Sequence, residues 1–97
     1  MTTNINSVRI ISRDACIYCK KAKEFCAEKK IPYVEEMMDP DQDDYFQKRD
    51  VLVEKTNQKT FPFIFMGDHF IGGYTQLVEA YNDLTLHNLG IASDTDF

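Results

Sequence analysis

The sequence predicts an α/β domain with a four-stranded mixed sheet and helices on both faces of that sheet. Two observations predict this class. Residues 7–56 alternate between short apolar runs typical of strands and segments with helical spacing, and a hairpin signal then precedes a last helical segment. Alternating strands and helices place two strands parallel, joined by a right-handed crossover. The hairpin adds antiparallel strands, and helices must then cover both sheet faces to bury their apolar side chains.

The first strand and helix are predicted from the N-terminal third of the chain. Closely spaced β-branched residues favour a strand over residues 7–12. Helical spacing follows, and we expect the first helix to run from about Ile17 to Lys29. Pro32 cannot continue this helix, so Tyr33-Val34 are expected to begin a second short strand.

The second helix is predicted to start at the segment Asp39-Pro40-Asp41 and to end at about Thr56. Asp39 can cap a helix, and Pro40 suits the first helical position. Aspartates in the first turn would also favour the positive end of the helix dipole. Residues 57–60 are then expected to form a turn.

The hairpin and the last helix are predicted from residues 61–84. An apolar run at Phe61–Met66 indicates a strand, Gly67-Asp68 indicate a tight reversal, and Gly72-Gly73 end the returning strand. The last helix is expected to start near Thr75. The residues with 3.6-residue spacing that predict it are Leu77, Val78, Tyr81 and Leu84.

Length and composition predict one domain over residues 1–97, with its core at about 7–86 and an acidic tail at 92–97. No apolar run approaches the roughly 18 residues that a membrane helix needs, and the N-terminus does not resemble a secretory signal. Three cysteines suit a reducing compartment, so we expect a cytoplasmic protein. We also expect a monomer. The net charge of −5 argues against nucleic acid as the main ligand.

A Cys-x-x-Cys pair, Cys16 and Cys19, lies where the first predicted strand ends and the first helix begins. The first N–H groups of a helix have no partner inside the helix and favour an anion. The thiolate is the nucleophilic form of cysteine, so Cys16 should ionise more easily there than a free cysteine does. Arg13, Lys20 and Lys21 add positive potential nearby.

The cysteine pair could be half of a zinc site, a redox pair or a chance occurrence. A zinc site usually needs four ligands, and Cys26, His69 and His87 lack the paired spacing of zinc ligands. Cys19 and Cys26 would lie roughly 10 Å apart along a helix, whereas a disulfide needs Cα atoms within about 7 Å. Only Cys16 and Cys19 can therefore pair, which favours the redox interpretation. Cys26 is expected to be a buried core residue.

Three stretches carry a family resemblance: Ser12–Cys19, Lys59–Phe65 and Ile71–Leu77. In this order and spacing, over about residues 7–86, the chain resembles the glutaredoxins of the thioredoxin superfamily. The resemblance implies a thioredoxin-like fold and glutathione-dependent thiol–disulfide exchange. It implies glutathione as co-substrate, no obligatory metal, and disulfide-containing or glutathionylated proteins as partners. The segment Gly-Gly-Tyr-Thr-Gln-Leu is most similar to viral and phage members.

The resemblance also implies a role for each matching position. Cys16 would be the attacking thiolate and Cys19 the resolving thiol. Arg13 would meet the glycine carboxylate of glutathione, and the Phe61 backbone, followed by a cis Pro62, would pair with its cysteine moiety. The remaining positions implied to contact glutathione are Tyr18, Arg49, Gly73, Tyr74, Thr75 and Gln76, the last four at the start of the final helix, where the γ-glutamyl carboxylate would bind.

Two departures from the family pattern leave alternatives open. Ile17 stands where dithiol glutaredoxins usually have proline, and some members without that proline assemble an iron–sulfur cluster. One alternative is therefore an iron–sulfur carrier that bridges two subunits. Tyr74-Thr75 stand where the family commonly has Cys, Ser or Phe and then Asp. The other alternative is thus an electron donor to a particular protein, such as ribonucleotide reductase, served by thioredoxin reductase.

Overall fold

The computed structural model describes residues 7–88, with side chains described to Leu86. The predicted N-terminal segment 1–6 and the acidic tail 92–97 lie outside the described residues. The elements in chain order are β1 (Val8–Arg13), α1 (Ile17–Glu28), β2 (Tyr33–Met38), α2 (Tyr45–Thr56), β3 (Phe63–Met66), β4 (His69–Gly72), α3 (Tyr74–Asn82) and α4 (Thr85–Asn88).

The strands form one sheet in the order β2-β1-β3-β4. β1 and β2 are parallel, with Val8 opposite Tyr33, because the α1 crossover returns the chain to the same end of the sheet. β3 runs antiparallel to β1, and β4 runs antiparallel to β3. The predicted four-stranded mixed sheet is therefore confirmed.

The alternation of side chains along the central strands divides the core between the two sheet faces. On one face, Ile10 and Ile64 pack with residues of α1, α3 and α4. On the other, Ile11 and Phe63 pack with Tyr45 of α2. Both central strands are buried on both faces, which confirms that helices cover both sides of the sheet.

The start of α2 is a correction to the sequence analysis. The helix begins at Tyr45, not at Asp39-Pro40, and β2 extends to Met38. The Asp39 carboxylate accepts a hydrogen bond from the Asp41 N–H at 2.9 Å, and the Asp39 carbonyl accepts one from the Gln42 N–H at 3.0 Å. Asp39 and Pro40 thus stabilise a turn, since a short Asp side chain serves a turn as readily as a helix cap.

Two further boundaries differ from those predicted. β3 begins at Phe63 and not at Phe61, because the carbonyl of Pro62 accepts a side-chain hydrogen bond from Gln58 before the sheet ladder starts. α3 ends at Asn82, and Leu84, predicted to continue its apolar face, is 47% exposed with a positive φ of 67°. Leu84 therefore lies in the turn between α3 and α4.

No helix within residues 7–88 is both long enough and apolar enough to cross a membrane.

The predicted core position of Cys26 is confirmed. Its side chain on α1 is fully buried in the cluster that contains Ile10 and Leu77, and it is the free cysteine within the described residues. Burial raises the pKa of the Cys26 thiol from its ordinary value of 9.0 to about 12, since desolvation disfavours the thiolate.

This burial predicts a specific loss of stability in alkali. Above the ordinary pKa of 9.0 the unfolded chain releases the Cys26 proton while the folded chain keeps it, so the free energy of unfolding falls as pH rises. Relative to Cys26→Ala, the reduced wild-type chain should lose about 1.4 kcal/mol per pH unit in that range. Denaturant unfolding of both chains at about pH 8 and about pH 10 measures the difference. An equal pH dependence of the two chains would contradict the prediction.

Gly72, at the end of β4, requires glycine for two reasons. Its φ is 131°, where side chains are strained, and a Cβ there would lie 2.7 Å from the Cβ and Cγ atoms of Gln76. Gly67, in the hairpin turn, also has a positive φ, of 61°, but a Cβ there would meet nothing within 4 Å.

The two glycines give a matched pair of substitutions. Gly67→Ala should cost about 1 kcal/mol, for left-handed backbone alone. Gly72→Ala should cost about 3 kcal/mol, because a steric clash adds to a more strained backbone. Chemical denaturation of both variants and the wild-type chain tests this order. Equal losses of stability in the two variants would contradict it and would show that the Gln76 side chain moves aside without cost.

Candidate active site

The N-terminus of α1 holds the sulfur of Cys16. Cys16 is the N-cap residue of the helix, with extended backbone, and its Sγ accepts a hydrogen bond from the backbone N–H of Cys19 at 3.2 Å. Ala15, with a φ of 57°, turns the chain from the end of β1 into this cap. The helix dipole and its unpaired N–H groups therefore face Cys16, where negative charge is favoured.

Cys16 and Cys19 are joined by a disulfide, with their Cα atoms 5.3 Å apart. The pairing expected from helix geometry is thus confirmed, and Cys26 takes no part in it. Cys19 is only 2% exposed, whereas Cys16 is half-buried. An incoming sulfur reaches Cys16 first, so the two cysteines are suited to different steps of an exchange reaction.

An aromatic pair, Tyr18 of α1 and Tyr74 of α3, lies beside the disulfide. The two ring centroids are 6.1 Å apart and the rings are tilted by 33°. The Lys21 ammonium lies 5.3 Å from the Tyr18 centroid and 6.0 Å from that of Tyr74, so it bridges the two faces. Tyr18 and Ile17 are 55% and 71% exposed, and the disulfide is therefore flanked by accessible apolar surface.

The start of α1, with Cys16 and Tyr18, is the first wall of the site, and the segment before β3 forms the second. The Phe61–Pro62 peptide bond is cis, as the family resemblance implied. The Arg13 guanidinium lies 5.7 Å from the centroid of the Phe61 ring, which also packs edge-on against Phe63. Arg49 donates a hydrogen bond from Nη2 to the Lys59 carbonyl at 3.4 Å. The two predicted arginines thus both contact residues 59–61. We call residues 59–62 the cis-proline segment.

The start of α3 forms the third wall. The Gly73 N–H donates to the Gln76 Oε1 at 2.9 Å, so the Gln76 side chain serves the N-terminus of its own helix. A Cβ at Gly73 would lie 3.7 Å from the Pro62 carbonyl oxygen, which shows how closely α3 approaches the cis-proline segment. Thr75 is exposed at this helix start.

The predicted site residues are therefore linked through pairwise contacts between separate elements. α1 meets α3 through Tyr18 and Tyr74, and the end of β1 meets the cis-proline segment through Arg13. Gly73 completes the connection by its approach to Pro62. Thr75 joins the group by sequence alone, since no hydrogen bond of the Thr75 side chain is found within residues 7–88.

Gln58 is a residue of the site that the sequence pattern does not reveal. Its side-chain Nε2 donates to two carbonyl oxygens, those of Thr60 at 2.7 Å and Pro62 at 2.8 Å. In the sequence it is one of four polar residues in a predicted turn. No local pattern distinguishes a glutamine that bonds its own loop from one that is solvated, so this role could not have been found without the loop geometry.

Within residues 7–88, no three His, Cys, Asp or Glu residues are grouped as the ligands of a metal ion would be.

The fold and this site define the thioredoxin-like class of proteins, which carry a Cys-x-x-Cys pair at the start of a helix that follows a buried strand. A family model described as glutaredoxin matches residues 8–71. The chain belongs to the glutaredoxin family.

Named relatives agree with this assignment. The chain is 33% identical over 91 residues to Glutaredoxin-C8 of Oryza sativa subsp. japonica, covering 91% of this chain and 65% of that protein. It is 34% identical over 85 residues to Glutaredoxin-1 of Rhizophagus irregularis, covering 87% and 82%. The chain spans less than two thirds of the rice protein and of Arabidopsis thaliana Glutaredoxin-C4, at 65% and 64%.

Solved structures show the same fold. A buckwheat glutaredoxin, solved as a complex with glutathione, superposes with a TM-score of 0.75 at 25% identity, covering 86% of this chain and 74% of that one. Glutaredoxin 1 of Francisella tularensis superposes with a TM-score of 0.68 at 28% identity, covering 84% and 98%. The predicted thioredoxin-like glutaredoxin fold is confirmed, while the likeness of residues 72–77 to viral and phage members stays a prediction.

Proposed function

We propose that this protein is a glutathione-dependent thiol–disulfide oxidoreductase that works through Cys16 and Cys19. The observation that carries the proposal is the position of the Cys16 sulfur, which caps α1, accepts the Cys19 N–H and is bonded to the buried Cys19 sulfur. A sulfur in that position is favoured as a thiolate once the disulfide is reduced, and thiolates are the attacking species in disulfide exchange.

The proposed reaction proceeds through two exchanges. The Cys16 thiolate attacks one sulfur of a substrate disulfide, and the other substrate sulfur leaves as a thiolate that takes up a proton. Either the Cys19 thiolate or glutathione then attacks the mixed disulfide. Attack by Cys19 at the Cys16 sulfur releases the substrate thiol and forms the Cys16–Cys19 disulfide. Two glutathione molecules return this disulfide to the dithiol and leave as glutathione disulfide.

Glutathione is the proposed co-substrate, and the second and third walls of the site suit its parts. Within residues 7–88, the backbone of Phe61 takes part in no hydrogen bond, so it is available for a short antiparallel contact with the cysteine moiety. Arg13 and Arg49 lie beside it for the glycine carboxylate. The N-terminus of α3, at Gly73, Tyr74, Thr75 and Gln76, offers backbone N–H groups to the γ-glutamyl carboxylate. The glutathione complex of the buckwheat relative supports this assignment.

The proposed protein substrates are disulfide-containing or glutathionylated proteins, with ribonucleotide reductase as one candidate. The exposed side chains of Ile17 and Tyr18 support this proposal, because they offer apolar contact area next to the accessible sulfur. We place the reaction in a monomer in the cytoplasm. A reducing compartment would keep the dithiol available, and an odd number of cysteines suits such a compartment.

The two cysteines should respond differently to substitution. Cys16→Ser should abolish the reduction of a glutathione mixed disulfide of a small thiol, since Cys19, the other cysteine of the pair, is buried. Cys19→Ser should keep most of that activity, because glutathione itself can resolve the intermediate, but should lose the reduction of protein disulfides. A coupled assay with glutathione, glutathione reductase and NADPH measures the turnover.

Cys26→Ala is the matched control, and it should leave both activities unchanged because Cys26 is buried on the far side of α1 from solvent. Ordinary turnover by Cys16→Ser would contradict the proposal. If thioredoxin reductase supports turnover of the wild-type chain and glutathione does not, the proposed reductant is wrong, while the proposed chemistry of Cys16 still holds.

A further inference from the structure

The side chain of Gln58 holds the cis-proline segment from within. Its carboxamide Nε2 has two N–H groups, and both are used: one reaches the carbonyl of Thr60 at 2.7 Å and the other that of Pro62 at 2.8 Å. These carbonyls belong to the residues on either side of Phe61. One side chain therefore holds the peptide group that contains the Phe61 N–H and the peptide group that follows the Phe61–Pro62 bond.

Gln58 is itself anchored to α2. Its backbone N–H donates to the Thr56 hydroxyl at 3.1 Å, and that hydroxyl donates to the Leu52 carbonyl at 2.6 Å in the last turn of the helix. Asn57 ends α2 in the left-handed conformation and turns the chain toward Gln58. The carboxamide thus connects a rigid helix end to the cis-proline segment.

The backbone of Phe61 contrasts with its neighbours. Thr60 and Pro62 both have their carbonyls bonded to Gln58, whereas no hydrogen bond of the Phe61 N–H or carbonyl is found among residues 7–88. The Thr60 carbonyl shares its planar peptide group with the Phe61 N–H, and the Pro62 carbonyl anchors the residue that follows the Phe61 carbonyl, so both Phe61 groups keep one orientation. Peptide groups that are fixed in orientation but have no hydrogen-bond partner can pair with an extended ligand without first being ordered.

We propose that Gln58 is a positioning residue, which presents the Phe61 peptide groups to the thiol-bearing peptide of the substrate. The inference rests on the proposed function, because it concerns how the glutathione moiety is received. Gln58 acts through Phe61 and does not touch the reacting sulfurs. Its Oε1 also faces α3, since a Cβ at Gly73 would lie 3.8 Å from it, so the same side chain spaces two walls of the site.

Gln58→Glu tests the role with almost no change in shape. The carboxylate cannot donate, so it would face two carbonyl oxygens and release the segment. For a glutathione mixed disulfide we expect KM to rise about tenfold or more, with kcat within about twofold. Both hydrogen bonds of the carboxamide are lost, and each loss costs roughly tenfold or less. Gln47→Glu, the same change at an exposed position of α2, should leave both constants unchanged.

A second readout separates positioning from general disruption. Alkylation of reduced Cys16 by iodoacetamide, a reagent too small to need Phe61, should keep its wild-type rate and pH profile in Gln58→Glu. Gln58→Met, which removes both donors without adding charge, should show the same rise in KM and serves if Gln58→Glu does not fold. Unchanged KM in these variants, or an alkylation rate that falls in step with activity, would overturn the inference. A wild-type chain without glutathione-dependent turnover would instead overturn the proposed function.

Discussion

The site depends on one short contact, the hydrogen bond from the Cys19 N–H to the Cys16 sulfur at the first turn of α1. For this contact to form, the chain must leave a buried strand and begin a helix within three residues, which Ala15 permits by adopting a positive φ. The strand is fixed by its burial on both faces, so the helix begins at a defined point. The sulfur is thereby held where orphan N–H groups and the helix dipole favour an anion.

The same helix shows how environment decides what a cysteine does. Cys26 lies about three turns along α1 from Cys16. It is fully buried, so desolvation raises the pKa of its thiol to about 12 and keeps it protonated. Cys16 is half-buried at the helix start, in contact with a backbone N–H. Identical side chains are thus inert in one place and suited to nucleophilic attack in the other.

The three walls of the site come from segments far apart in the chain, and few strong interactions join them. The contacts are an aromatic pair, a guanidinium above a ring and a close approach of backbone atoms. Local positive charge from Arg13, Lys21 and Arg49 persists in a chain whose net charge is −5.

The sequence by itself determined the order of elements from β1 to α3, the mixed sheet, the Cys16–Cys19 pairing and the core position of Cys26. Each depends on short-range periodicity or on helix geometry, which neighbouring residues settle alone. Only the tertiary structure decided the true start of α2, the exposure of Leu84 and the double hydrogen bond of Gln58. The bonding partners of Asp39 and Gln58 lie within four residues of them in the chain. A polar side chain has several such partners within reach, however, and local sequence does not determine which of them it bonds.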